Sequence, residues 1–214
     1  MNRVAFLIDG FNVYHSVKQA IKDGEKGSLK WLDYRALCES YVRSSVFGKA
    51  ATLGRVVYFT AYATHLTATR PDVVQRHRLY VSALESRGIE VIPGRFKWKP
   101  RWCPKCKQDV PGHEEKETDV SIAVTMLEMG VTNASETIVV VTGDTDLIPA
   151  IRIVRRLCPD KQLWAVFPYA RFNEELRQVA HGSIKIKRKT YGAFQLPDPV
   201  TLPDGSVIRK PASW

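Results

Sequence analysis

The chain has 214 residues, 44% of them apolar, enough for one large domain, or one domain with an appendage, around a sizeable core. A formal charge of +10 and a pI near 9.5 favour a polyanionic partner, nucleic acid ahead of an acidic membrane surface. No apolar run reaches the ~18 residues of a helical membrane span, the start of the chain lacks a signal-peptide pattern, and four cysteines with one close pair make no disulfide framework; the expected compartment is the cytoplasm.

Val4 to Ile8 is a short apolar run that ends at Asp9-Gly10-Phe11-Asn12 and reads as a first strand with Asp9 at its carboxyl end. Phe11, Tyr14, Val17 and Ile21 follow at helical spacing and stop at Asp23-Gly24. Asp33 suits the N-cap of a second helix, with Tyr34, Leu37, Tyr41 and Val42 on its apolar face. Gly54 to Tyr62 reads as a second strand, Pro71 to Arg87 as a third helix closed by Gly88, and Ile89 to Ile92 as a third strand.

Residues 94–116 break this rhythm. They mix Lys97, Lys99 and Arg101 with Trp98 and Trp102, hold Cys103-Pro-Lys-Cys106, and read as a small basic insertion. Thr118 to Met129 returns to helix. Ile138 to Val141, four β-branched residues, reads as a strand buried on both faces, and it runs into Thr142-Gly143-Asp144-Thr145-Asp146 and a further helix. Gln162 to Phe167 is a fifth strand, Phe172 to Ala180 a short helix, and Ile184 to Ile186 a short edge strand. Residues 1–189 are expected to form the domain, with 190–214 an extended tail containing an Asp204-Gly205 turn.

Strands alternating with helices imply a parallel sheet covered on both faces. Open α/β sheets bind ligands beyond the carboxyl ends of their strands, so Asp9 and the Asp144/Asp146 pair fall on the binding edge. Asp119, at the start of its helix, is expected there too. Each acid also has an ordinary reading: Asp9-Gly10 as a turn, Asp119 as partner of its helix dipole, Asp146 as a cap. Jointly they point elsewhere, because ionised carboxylates gathered at one place repel by about 4 kcal/mol per pair at 4 Å in a medium of effective dielectric ~20. A divalent cation relieves that repulsion, and an all-oxygen site suits Mg²⁺ or Mn²⁺. Asn12, Thr142 and Thr145 supply neutral oxygens near the same edge.

Three motifs in order, Leu-Ile-Asp-Gly-Phe-Asn-Val-Tyr, Glu-Lys-Glu-Thr-Asp-Val-Ser-Ile-Ala and Val-Thr-Gly-Asp-Thr-Asp-Leu-Ile-Pro, resemble the NYN domain family of PIN-like nucleases, which includes the LabA-like bacterial proteins. The resemblance covers roughly residues 2–180. It implies a three-layer α/β/α sandwich with a central, mainly parallel five-stranded sheet, and metal-dependent cleavage of RNA. It carries metal binding to Asp9, Asp119, Asp144 and Asp146, and an orienting role to Asn12. Lys116 stands where the family often has a lysine before its acidic helix.

Within the insertion, Cys103 and Cys106 form a knuckle of the kind that shares one tetrahedral Zn²⁺, with His113 as third ligand and Glu114, Glu115, His65 or His77 as the fourth. The other reading is two free thiols in a basic loop. Cations meet phosphates and flat rings stack on unpaired bases, so the residues expected to touch RNA are Lys97, Trp98, Lys99, Arg101, Lys116 and Thr142. The tryptophans have a second reading, packing the insertion onto the domain. Lys185, Lys187, Arg188 and Lys189 form a second basic cluster or a solvated edge.

The expected activity is metal-dependent, endonucleolytic hydrolysis of single-stranded RNA. One rival is an inactive nuclease fold that holds RNA or a protein partner, such as an antitoxin or a second copy of the chain. The other is a phosphatase whose N-terminal Asp acts as nucleophile; that chemistry needs an acid two residues later, where this chain has Phe11.

Overall fold

A computed structural model describes residues 2–214. Strand β1 (Asn2–Asp9) leads into α1 (Gly10–Lys22), followed by α2 (Tyr34–Arg43), β2 (Ala51–Ala61), α3 (Val73–Ser86) and β3 (Glu90–Trp98). Three short strands come next, β4 (Arg101–Cys103), β5 (Gln108–Val110) and β6 (His113–Lys116). The second half alternates α4 (Thr118–Val131), β7 (Thr137–Val141), α5 (Ile148–Leu157), β8 (Gln162–Phe167), α6 (Glu174–Val179) and β9 (Gly182–Lys185). It ends in α7 (Thr190–Ala193), β10 (Val200–Thr201) and β11 (Val207–Ile208).

The central sheet has seven strands in the order β6-β3-β2-β1-β7-β8-β9, all parallel except β6. The expected mixed α/β architecture with a mainly parallel sheet is present. The expected count of five strands is not: β9 extends one edge and β6 the other. β1 lies at the centre, so its side chains alternate between two cores. Val4, Phe6 and Ile8 join Val13, Val17, Leu37 and Leu84 on one face, while Ala5 and Leu7 join Ile122, Met126, Ile151 and Leu176 on the other. Helices start where the side chains dictate: Asp33 Oδ1 accepts from the Ala36 N–H at 2.9 Å, and Asn173 Oδ1 from the Leu176 N–H at 3.0 Å.

The segment 94–116 is not a separate insertion. β3 runs on to Trp98, and Arg95 to Trp98 pair antiparallel with Lys116 to His113 in the main sheet. Only the β4–β5 hairpin projects, closed by the Cys103–Lys107 turn, where the Lys107 N–H donates to the Cys103 carbonyl at 2.8 Å. Pro93 hid the continuation, because proline ordinarily marks the end of a strand; here it lies just before the stretch that pairs with β6.

Residues 190–214 do not trail away as an extended tail. Tyr191, Leu196, Val200 and Ile208 are buried, and Trp31 Nε1 donates to the Pro197 carbonyl at 3.1 Å. The Tyr191 hydroxyl lies 2.6 Å from Ser16 Oγ and accepts from the Tyr169 N–H at 3.1 Å, which ties this segment to α1 and to the loop after β8. Tyr191→Phe leaves both partners short of a buried hydrogen bond, at a cost of about 1–3 kcal/mol. The expected result is a melting temperature lower by several degrees in a calorimetric scan, with the far-ultraviolet circular dichroism unchanged.

Candidate functional site

The register of the sheet builds the site. Ile8 pairs with Val141, so Asp9 and Thr142, the next residues, emerge side by side at the carboxyl edge. Asp9 is 4% exposed. Its Oδ1 caps α1 by accepting from the Asn12 N–H at 2.9 Å, and its Oδ2 accepts from Thr142 Oγ1 at 2.8 Å. Thr142 Oγ1 in turn accepts from the Asp144 N–H at 3.1 Å, and Asp144 Oδ1 accepts from the Asp146 N–H at 3.0 Å. Asn12 Oδ1 accepts from the Gly143 N–H at 3.0 Å and closes the loop from the other side. A Cβ on Gly143 would stand 2.0 Å from the Arg171 carbonyl oxygen, so no side chain fits where the loop after β8 crosses.

Asp119 comes from the first turn of α4. The sequence placed Glu115 only as a candidate zinc ligand; the structure makes it a fifth member of the acidic group. Its Oε1 accepts from the Thr118 N–H at 3.3 Å and from the Thr118 hydroxyl, which satisfies the start of α4 that Glu117 leaves uncapped. The short interval between Glu115 and Asp119 was the signal available, and the β3–β6 pairing was what it lacked. Arg171 is the second residue not foreseen: exposed, beside Gly143, at the same sheet edge.

No basic side chain lies within ion-pair distance of Asp9, Glu115, Asp119, Asp144 or Asp146 among the described residues. The repulsion therefore appears as proton affinity. Burial, then the charges of Asp144, Asp9, Glu115 and Asp146, push Asp119 up to about 6. Asp9 is raised as well, by burial first, against the downward pull of its hydrogen bonds from Asn12 and Thr142.

Among the described residues no three His, Cys, Asp or Glu side chains converge closely enough to enclose a metal ion. The acidic edge still fits Mg²⁺ or Mn²⁺ by its donors: oxygen only, uncompensated, with Asp119 and Asp144 partly exposed and Asp146 exposed. Mg²⁺ in particular needs only one or two protein carboxylates, its remaining positions going to water and substrate phosphate. The zinc set does not fit. Cys103 and Cys106 share a turn, but His113 stacks on His65 with ring centroids 4.2 Å apart, His77 is held by Thr60 at 3.1 Å, and Glu114 is bound by Lys99 and Lys116.

The basic residues divide. Lys99 and Lys116 are paired to Glu114 at 2.6 and 3.1 Å, while Lys97 and Arg101 are exposed and in no ion pair among the described residues. Trp98 and Trp102 are 61% and 64% exposed, so they do not pack the hairpin onto the domain. Thr142, expected at the RNA interface, is fully buried; its role is to join Asp9 to Asp144. In the second basic cluster Arg188 pairs with Glu25 at 3.1 Å and Lys185 covers the Phe172 ring.

A carboxyl raised by the fold contributes stability in full below its unfolded value near 4, and loses it as pH rises through about 6. Discounted for partial exposure, the loss at Asp119 is about 1 kcal/mol. Asp119→Asn is expected to melt about 2–4 °C above wild type at pH 8 in chelator, with no gain at pH 4. Equal gains at both values would contradict the electrostatic origin.

Comparison with known proteins gives three results. The pattern of the NYN domain matches residues 3–187. A relative from Pseudomonas putida (strain DSM 28022 / S16), 6-hydroxy-3-succinoylpyridine 3-monooxygenase HspA, is 26% identical over 99% of this chain and 75% of its own length. The crystal structure of a protein of unknown function, VPA0982 from Vibrio parahaemolyticus RIMD 2210633, superposes with a TM-score of 0.56 at 18% identity, covering 91% of this chain and 96% of that one; it shares the fold. With the three motif stretches brought to one sheet edge and the domain pattern spanning nearly the whole sheet, this chain belongs to the NYN domain family, a PIN-like nuclease family.

Proposed function

We propose that the protein is a metal-dependent ribonuclease that cuts single-stranded RNA internally at the edge formed by Asp9, Asp119, Asp144 and Asp146. The observation that carries this reading is the uncompensated carboxylate group at the carboxyl edge of the sheet. Membership of the NYN family supports nuclease chemistry at the coarse level.

The residues divide the work by exposure. Asp9 is held at both oxygens and anchors the site, while Asp119, Asp144 and Asp146 stand toward solvent, where a phosphodiester approaches. Bound there, Mg²⁺ or Mn²⁺ supplies charge neutralisation and an activated water. Thr142 fixes the Asp9 carboxylate against Asp144, and Asn12 holds the Gly143 backbone so that the two strand ends keep their spacing. We assign Arg171, exposed beside Gly143, to a phosphate oxygen of the strand, and Lys97, Arg101, Trp98 and Trp102 on and beside the hairpin to its guidance.

Asp144→Asn is expected to lower Mn²⁺-dependent cleavage of a labelled single-stranded RNA at least a hundredfold, with the melting curve preserved and RNA binding within threefold of wild type. Wild-type rates in that variant would sink the proposal. Binding without cleavage in the wild type would favour the inactive RNA-holding fold, and phosphate release from a small ester without RNA cleavage would favour the phosphatase.

Charge removal by Lys97→Gln with Arg101→Gln is expected to weaken RNA binding and flatten its dependence on log salt concentration by about two units. An unchanged slope places the strand elsewhere.

A second reading comes from the Pseudomonas putida relative, whose alignment spans nearly the whole chain and whose name states a monooxygenase acting on 6-hydroxy-3-succinoylpyridine. Oxygen uptake with that compound and a reductant, with no RNA cleavage, would favour it.

A further inference from the structure

On the α1 side of the sheet, a partly open cavity of about 300 Å³ begins at Gly10 and Phe11, the two residues that follow Asp9. That volume is at the lower end of small-molecule sites. Its wall carries Tyr34, Tyr58, Tyr80, Phe96 and Trp214, and Trp214 packs on Tyr80 with ring centroids 5.3 Å apart. Such a wall offers faces and edges to a flat ring.

The charged side chains of the lining have one sign. Lys30, Arg70 and Arg76 border the cavity, and no Asp or Glu does among the described residues. Neither Lys30 nor Arg70 is in an ion pair among the described residues. Arg76 pairs with Asp72 through Nη1, but its Nε is sealed from solvent with no hydrogen-bond partner. His65 Nδ1, on the same wall, is likewise buried and without a partner. Burial first, then the charges of Arg76 and Lys18, lower the proton affinity of Lys30. His77 stays neutral, pushed down to about 4 by burial.

We propose that this cavity is a binding site for a flat aromatic or heteroaromatic ring bearing an anionic group, the ring lying among the tyrosines and Trp214 and the anion meeting Lys30, Arg70 and Arg76. The anion is a phosphate, as on a mononucleotide, or a carboxylate, as on a free ring acid. The inference rests on the cavity alone and holds whichever reaction the carboxylates support.

Titration calorimetry of the full chain against adenosine 5′-monophosphate and against nicotinic acid tests it, with adenosine and nicotinamide as uncharged counterparts. At least one ring anion is expected to bind at millimolar concentration or below, to weaken at least tenfold in Lys30→Met, and to lose binding in Ala63→Trp, which fills the cavity. The uncharged counterpart is expected to bind more weakly and to ignore Lys30→Met. Binding of the nucleotide alone assigns a phosphate ligand, of the acid alone a carboxylate ligand, and of both a site selective for ring and charge. Binding of neither anion overturns the proposal, as does binding that survives Lys30→Met or Ala63→Trp, or equal loss of the charged and uncharged compounds in Lys30→Met.

Discussion

The pairing of β1 with β7 is the constraint on which the rest depends. Val4–Ile8 of β1 and Ile138–Val141 of β7 are apolar and buried on both faces, and their register sets Ile8 against Val141. One residue further on, the chain leaves the sheet and polar groups begin. Asp9 and Thr142 therefore meet at a fixed height with almost no water around them. A carboxylate so placed is tolerated only when its oxygens are hydrogen-bonded. The Asn12 N–H and the Thr142 hydroxyl meet that need, and through Thr142 the next acid, Asp144, is held in line.

The acidic edge and the cavity are two consequences of the same turn. Asp9 caps α1, and Gly10 permits close approach, since a Cβ there would lie 2.5 Å from the Phe59 carbonyl oxygen. On one side of this turn the carboxylates gather; on the other, the cavity is bordered by Lys30, Arg70 and Arg76.

The β3–β6 ribbon links these places to the exposed hairpin. Phe96 on β3 packs edge-on to Phe11 at 5.5 Å and to His65 at 4.5 Å, and His65 stacks on His113 of β6. Glu115, one residue before the end of β6, reaches Thr118 at the start of α4, which carries Asp119. The antiparallel β3–β6 pair thus joins the base of the hairpin to the start of α4, which carries Asp119.

Much of this was legible in the residues. Apolar runs ending in Asp-Gly and Gly-Asp-x-Asp marked strand ends, because period and punctuation are local properties. The cap Asp33 was equally plain, since a side chain three residues from an N–H needs no distant partner, whereas Asp9 read as a strand end and only the structure shows it capping α1. The NYN motifs named the family for the same reason. What the sequence alone did not hold is everything that depends on pairing across long separations. Pro93 hid the extension of β3, and the irregular stretch after residue 190 hid a segment that buries Tyr191 and Leu196 against the core. His113 looked free to join the cysteines until the sheet set it against His65. Glu115 joined the acids, and Thr142 left the expected RNA surface, only once register fixed which side of the strand each occupied. Local chemistry determined which residues could carry function; the packing of distant strands decided which of them meet.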